Sequence, residues 1–143
     1  MGNLVMVIDD SLTVRKIMEC SLQREGFQTV SFPDGLQAMS ALSRGEVPVP
    51  DLILLDIGLP KMDGYEIARA FKQKNRLGNT VIIMLSGRDG VFDKFRGRLA
   101  GAKEYITKPF KTAEVIAVVR SYLDPQQMAL PSQSAGGYSY YQV

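Results

Sequence analysis

Histidine is absent from all 143 residues, and that absence excludes more chemistry than any single residue present suggests. Without an imidazole there is no His-based acid or base, no His ligand for a metal, and no phosphohistidine on this chain. Cysteine occurs once, at Cys20, so no internal disulfide can form, and a reducing cytoplasm is the simplest expected location. Charge of one sign is lacking too: the formal net charge is +2, with Lys and Arg interspersed among Asp and Glu. This excludes the clustered basic face of a nucleic-acid binder. The densest basic stretch, Arg88, Lys94, Arg96, Arg98 and Lys103, is broken by Asp89, Asp93 and Glu104. It reads as solvated surface, with partner docking as the alternative. No apolar window approaches the roughly eighteen residues of a membrane span, and "MGNLVMVIDD" carries no basic leader, so no membrane insertion is expected. Chemistry on this chain must come from carboxylates, hydroxyls and lysine.

What is present is alternation. "LVMVI" (4–8) reads as a strand, and Ser11 to Glu25 as a helix with Val14, Ile17, Met18 and Leu22 at helical spacing, ended by Gly26. "QTVSF" is a shorter strand, Asp34 can cap "GLQAMSAL", and Gly45, Pro48 and Pro50 break the chain before the strand "LILLD". Then come "MDGYEIARAFKQKN" as a helix with Asp63 as its expected cap, "TVIIMLS" as a strand, and "DGVFDKFRGRLAGA" as a weak helix. "KEYIT" is the fifth strand and "TAEVIAVVRSYL" the last helix. Lys111 is a poor helix cap, because it accepts no bond from N–H groups and has the wrong charge, so the last helix is expected to start after Thr112. Near-continuous apolar strands alternating with helices predict an α/β fold with a parallel sheet covered on both faces.

In such sheets ligands bind beyond the carboxyl ends of the strands. There the first strand ends in Asp9 and Asp10, the third in Asp56 and the fourth in Ser86, while Lys108 follows the fifth. Singly, each has a structural use: Asp10 or Ser11 can cap a helix, Asp51 and Asp56 can bracket a strand, and Ser86 can open a turn at Gly87. Together they place three carboxylates, a hydroxyl and an ammonium in one crevice. The carboxylates would repel, each raising its neighbours' pKa. A hard divalent cation removes that conflict, and Mg2+ suits a few carboxylates completed by water and phosphate oxygens. Mg2+ is the implied cofactor.

The segments "VIDDS", "DLILLDIGLPKMDG", "IIMLSG" and "EYITKPF" resemble, in order and rough spacing, the receiver domains of bacterial two-component response regulators. The likeness spans residues 3 to 123. "LSGRDGVFDKFRGRLAGAKEYITKPF" resembles more narrowly the single-domain, chemotaxis-type receivers of twitching-motility signalling. The resemblance implies a flavodoxin-like, doubly wound five-stranded parallel sheet of order 2-1-3-4-5 with five helices. It makes Asp56 the phosphoryl acceptor, with Mg2+ held by Asp10 and Asp56, by Asp9 through a water, and by the backbone carbonyl of Gly58. With no side chain, Gly58 would leave the site open. Lys108 would neutralise a phosphoryl oxygen and Ser86 would bond another, while Gly87 leaves room for the donor. Tyr105 would be the switch aromatic, and the Lys108–Pro109 bond would be cis. The phosphohistidine donor would belong to a sensor histidine kinase or phosphotransfer protein. A downstream protein would read the face formed by helix 4, strand 5 and helix 5.

Phosphoryl transfer to an ionised carboxylate needs an in-line nucleophile and neutralised oxygens, with no general base, so a chain without histidine suffices. Without the resemblance, Tyr105 reads as a half-buried strand aromatic. Gly97 weakens the fourth helix by about 1 kcal/mol, which suits a switching segment or an irregular loop equally. Residues 1–124 are expected to form the receiver. Residues 125–143, with Tyr138, Tyr140 and Tyr141, read as a polar flexible extension rather than an output domain. A stand-alone phosphorylated switch is therefore expected, not an enzyme acting on other substrates. The competitors are a phosphohydrolase of the haloacid-dehalogenase type and a phosphorylation-independent interaction module. The hydrolase motif needs a second Asp two residues after its nucleophile, and two residues after Asp9 stands Ser11.

Overall fold

A computed structural model describes residues 3–57, 64–74, 77–87 and 91–123, except the side chains of residues 91 and 92. The elements run β1 (Leu4–Ile8), α1 (Leu12–Arg24), β2 (Gln28–Phe32), α2 (Gly35–Ser43), β3 (Leu52–Asp56), α3 (Gly64–Gln73), β4 (Val81–Ser86), α4 (Val91–Leu99), β5 (Glu104–Thr107) and α5 (Thr112–Leu123). All pairings are parallel and the strand order is β2-β1-β3-β4-β5. The expected fold class and strand order are observed.

The sequence pattern explains the layering. Strands β1 and β3 are buried along their whole length, and alternate side chains leave opposite faces of the sheet. Met6, Ile8, Ile53, Leu55, Ile82 and Met84 pack with Ala38, Leu42, Ile67 and Phe71 on the face covered by α2, α3 and α4. Val5, Val7, Leu52, Leu54, Ile83 and Leu85 pack with Met18, Leu22, Phe110, Val115 and Val119 beneath α1 and α5. Each fully buried large aliphatic or aromatic side chain stabilises the fold by about 1.5–3 kcal/mol. The two cores thus hold the strand ends in fixed register. Edge strands β2 and β5 are half-buried, consistent with their more polar composition.

Helix starts follow local chemistry. The Ser11 side chain accepts the Val14 N–H at 3.2 Å, and Asp34 Oδ1 accepts the Gln37 N–H at 2.8 Å. Gly26, at φ 92°, turns the chain after α1 in a region that L side chains rarely adopt. The expected start of the last helix needs correction: α5 begins at Thr112, not after it. The carbonyl of Lys111 accepts from Glu114 and Val115, so the backbone starts the helix without a favourable side chain at that position. Tertiary burial of Phe110 and Thr112 anchors it instead. The expected cap Asp63 lies outside the described residues.

Candidate functional site

The alternation that fills the core delivers the site. Asp9 directly follows β1, Asp56 ends β3 and Ser86 ends β4, and these three strands are neighbours at the centre of the sheet. Asp56 is in register with Leu85, so Ser86 lies one residue further along β4. Ser86 is in turn in register with Thr107, and the Lys108 N–H donates to the Ser86 carbonyl. That backbone bond brings Lys108 to the same edge of the sheet. The Lys108–Pro109 peptide bond is cis.

One oxygen from each of Asp9, Asp10 and Asp56 lies within 4.8 Å of the others. Asp9 and Asp56 are buried, 1% and 6% exposed, while Asp10 is exposed. Lys108 Nζ donates to Asp56 Oδ2 at 3.3 Å and stands 3.9 Å from Asp9 Oδ2. Asp9 Oδ1 accepts the Ser11 N–H at 2.9 Å. Asp9 Oδ2 is buried and has no hydrogen-bond partner among the described residues. The Asp9 carboxyl is pushed up from 3.8 to about 6, first by burial. The Ser11 N–H opposes this, Asp56 and Asp10 add repulsion, and Lys108 offsets part of it. Repulsion, the cause expected from sequence, is therefore secondary to desolvation.

These donors fit a hard divalent cation. Three carboxylates converge on one point, and the orphaned Asp9 Oδ2 is a buried acceptor that a cation or an ordered water would satisfy. Gly58 lies outside the described residues, so its carbonyl is not placed. Gly87 is exposed, and among the described residues a Cβ built on it meets nothing within 4 Å. Ser86 is 3% exposed. Tyr105 is half-buried on β5, with its ring against α4 and its hydroxyl 3.4 Å from that of Tyr65.

Three supporting residues escaped the sequence reading. Arg15, one turn into α1, donates to the Asp9 carbonyl at 2.7 Å, and the backbone N–H of Ser11 orients the Asp9 carboxylate. Asp51, read only as bracketing a strand, is exposed but accepts the Leu4 N–H at 2.8 Å, tying the start of β1 to β3. The spacing of "DDSLTVR" could have flagged Arg15, since it falls on the first turn of a helix that faces the preceding strand end.

The comparisons agree with this geometry. The family described as "Response regulator receiver domain" matches residues 5–120. Protein PilG of Pseudomonas aeruginosa is 36% identical over 122 residues, covering 85% of this chain and 88% of PilG. The Bacillus subtilis alkaline phosphatase synthesis transcriptional regulatory protein PhoP is 36% identical over 132 residues, or 92% of this chain, but this chain spans only 53% of PhoP. Among solved structures, the chemotaxis protein CheY4 of Vibrio cholerae superposes with a TM-score of 0.77 at 26% identity, covering 86% of this chain and all of CheY4. The BeF3-activated DrrB receiver domain superposes at 0.76 and 27% identity, covering 87% and 99% of the two chains. A parallel 2-1-3-4-5 sheet, acidic residues gathered at its carboxyl edge, and a family match over most of the length agree: the chain belongs to the response regulator receiver domain family.

Proposed function

We propose that the protein is a Mg2+-dependent signalling switch that accepts a phosphoryl group on Asp56 from a partner phosphohistidine protein and presents the change to another protein. The observation that carries this is the pairing of buried Asp56 with Lys108 at the sheet edge, within a cluster of two further carboxylates. Asp56 is the nucleophile and Lys108 neutralises an oxygen of the arriving group. Asp9, Asp10, Asp56 and the Gly58 carbonyl would hold Mg2+, which supplies the remaining neutralisation of phosphoryl charge. Ser86 bonds a second phosphoryl oxygen, and Gly87 leaves the donor's approach clear. Residues 1–124 act as the receiver and 125–143 as an appended polar segment, in a cytoplasmic setting.

The output step is electrostatic. A phosphoryl group adds up to about two negative charges and several acceptors beside Ser86. Ser86 and Tyr105 then adjust together, and the surface of α4, β5 and α5 changes for a protein partner. Similarity to PilG and CheY4 supports a chemotaxis-type or twitching-type pathway. A sensor histidine kinase or phosphotransfer protein would be the donor.

Incubation with acetyl phosphate and Mg2+, followed by intact-mass measurement, tests the reading. A stoichiometric, alkali-labile adduct that Asp56→Asn abolishes is expected. Turnover of phosphate esters would favour the hydrolase, and neither adduct nor turnover would leave an interaction module.

A further inference from the structure

Tyr65, which the sequence reading passed over, occupies a junction of three elements. It is 2% exposed on α3, and its hydroxyl donates to the Asp93 carbonyl of α4 at 3.2 Å. The Tyr105 hydroxyl of β5 lies 3.4 Å away. A phenol has one proton, and Tyr65 commits it to Asp93, so Tyr105 is the donor in the second bond. The result is a directed chain from β5 through α3 to α4. Burial is the main cause that pushes the Tyr65 phenol above its ordinary pKa. The guanidinium of Arg96, also on α4, sits 4.2 Å above the Tyr65 ring centroid.

Both ends of this chain are tightly seated. A Cβ on Gly97 would stand 3.0 Å from Tyr105 Cδ2 and 3.1 Å from Met84 Sδ, so glycine lets α4 rest directly on the Tyr105 ring. Gly97 thus also has a packing use, beside the helix-weakening one expected from sequence. At the other end, a Cβ on Gly64 would fall 2.6 Å from Ile57 Cα, so the first turn of α3 is pressed against the residue that follows Asp56. Tyr65 is the next residue along.

We propose that Tyr65 is a positioning residue that clamps α4 and the Tyr105 ring to the acceptor end of β3, giving Asp56 a second mechanical route to α4 besides Ser86. The proposal rests on the switch reading above in one respect, that Asp56 is the phosphorylated residue. The clamp itself is a property of the unphosphorylated chain.

Tyr65→Phe deletes the hydroxyl and keeps the ring beneath Arg96. Hydrogen exchange is measured on the full chain, with and without acetyl phosphate and Mg2+, with intact mass followed in parallel. The expected result is that amides of Asp93 to Leu99 exchange roughly threefold to tenfold faster in Tyr65→Phe, the range for loss of one buried hydrogen bond. Protection of α1 and α5 stays as in the parent, and the phosphorylation-dependent change in α4 shrinks to less than half. Tyr105→Phe, which removes only the donor into Tyr65, should loosen the same amides. The double variant should loosen them by less than the product of the two single effects, because the singles share one bond. Unchanged α4 exchange in Tyr65→Phe, loss of protection spread evenly over all helices, or strictly multiplicative singles would each overturn the clamp. Absence of an adduct on the parent chain would overturn the Asp56 reading instead, leaving the unphosphorylated comparison to decide on the clamp.

Discussion

Replacing Asp9 by Asn should stabilise the metal-free fold while removing a cation ligand. Burial raises the Asp9 carboxyl from 3.8 to about 6, so the folded chain holds this proton more tightly than the unfolded chain does. A group raised on folding contributes stability that is complete below its unfolded pKa and is lost as pH rises through its folded pKa. The loss therefore runs from about pH 4 to just above pH 6, and at about 1.4 kcal/mol per tenfold change in proton affinity it totals about 3 kcal/mol by pH 8. Asn keeps an oxygen for the Ser11 N–H but carries no charge to desolvate. The attraction to Lys108 at 3.9 Å is already contained in that raised value, so it takes nothing further from the gain of about 3 kcal/mol at pH 8. Urea denaturation in a chelator should thus show Asp9→Asn more stable than the parent at pH 8, with the difference roughly halved at pH 5. Added Mg2+ should raise the parent's stability and narrow the gap. Equal or lower stability of Asp9→Asn at pH 8 in chelator would refute the claim that the buried carboxylate burdens the fold.

Two further changes probe the site and its support. Lys108→Met should cut the rate of Asp56 adduct formation from acetyl phosphate by about a hundredfold, as loss of one preorganised charge partner does, and intact-mass time courses will measure it. Gly64→Ala should destabilise by about 1–3 kcal/mol, because the new methyl meets both the backbone Cα of Ile57 and the branch of its side chain at 2.6 Å. Urea titration checks this, and an unchanged midpoint would mean that α3 shifts freely.

The sequence showed some features because they depend on local chemistry. Alternating apolar strands and amphipathic helices, the caps Ser11 and Asp34, and the acids and lysine at strand ends are all written in short stretches of residues. In a parallel sheet, strand ends converge on one edge whatever the detail of packing, so Asp9, Asp56, Ser86 and Lys108 could be grouped before their distances were known. Other features involve partners far apart in the chain. Asp51 with Leu4, Arg15 with the Asp9 carbonyl, and Tyr65 with both Tyr105 and Asp93 meet only once the sheet and helices are assembled.

By itself, then, the sequence determined the fold class, the order of elements and the residue types available for phosphoryl chemistry, because periodicity and strand-end position are local. Tertiary structure alone decided that desolvation outweighs repulsion at Asp9, and that Lys108 stands closer to Asp56 than to Asp9. It also decided that α4 packs at Gly97 close against the Tyr105 ring. Burial and distance depend on every neighbouring element at once, and no short stretch of sequence encodes them.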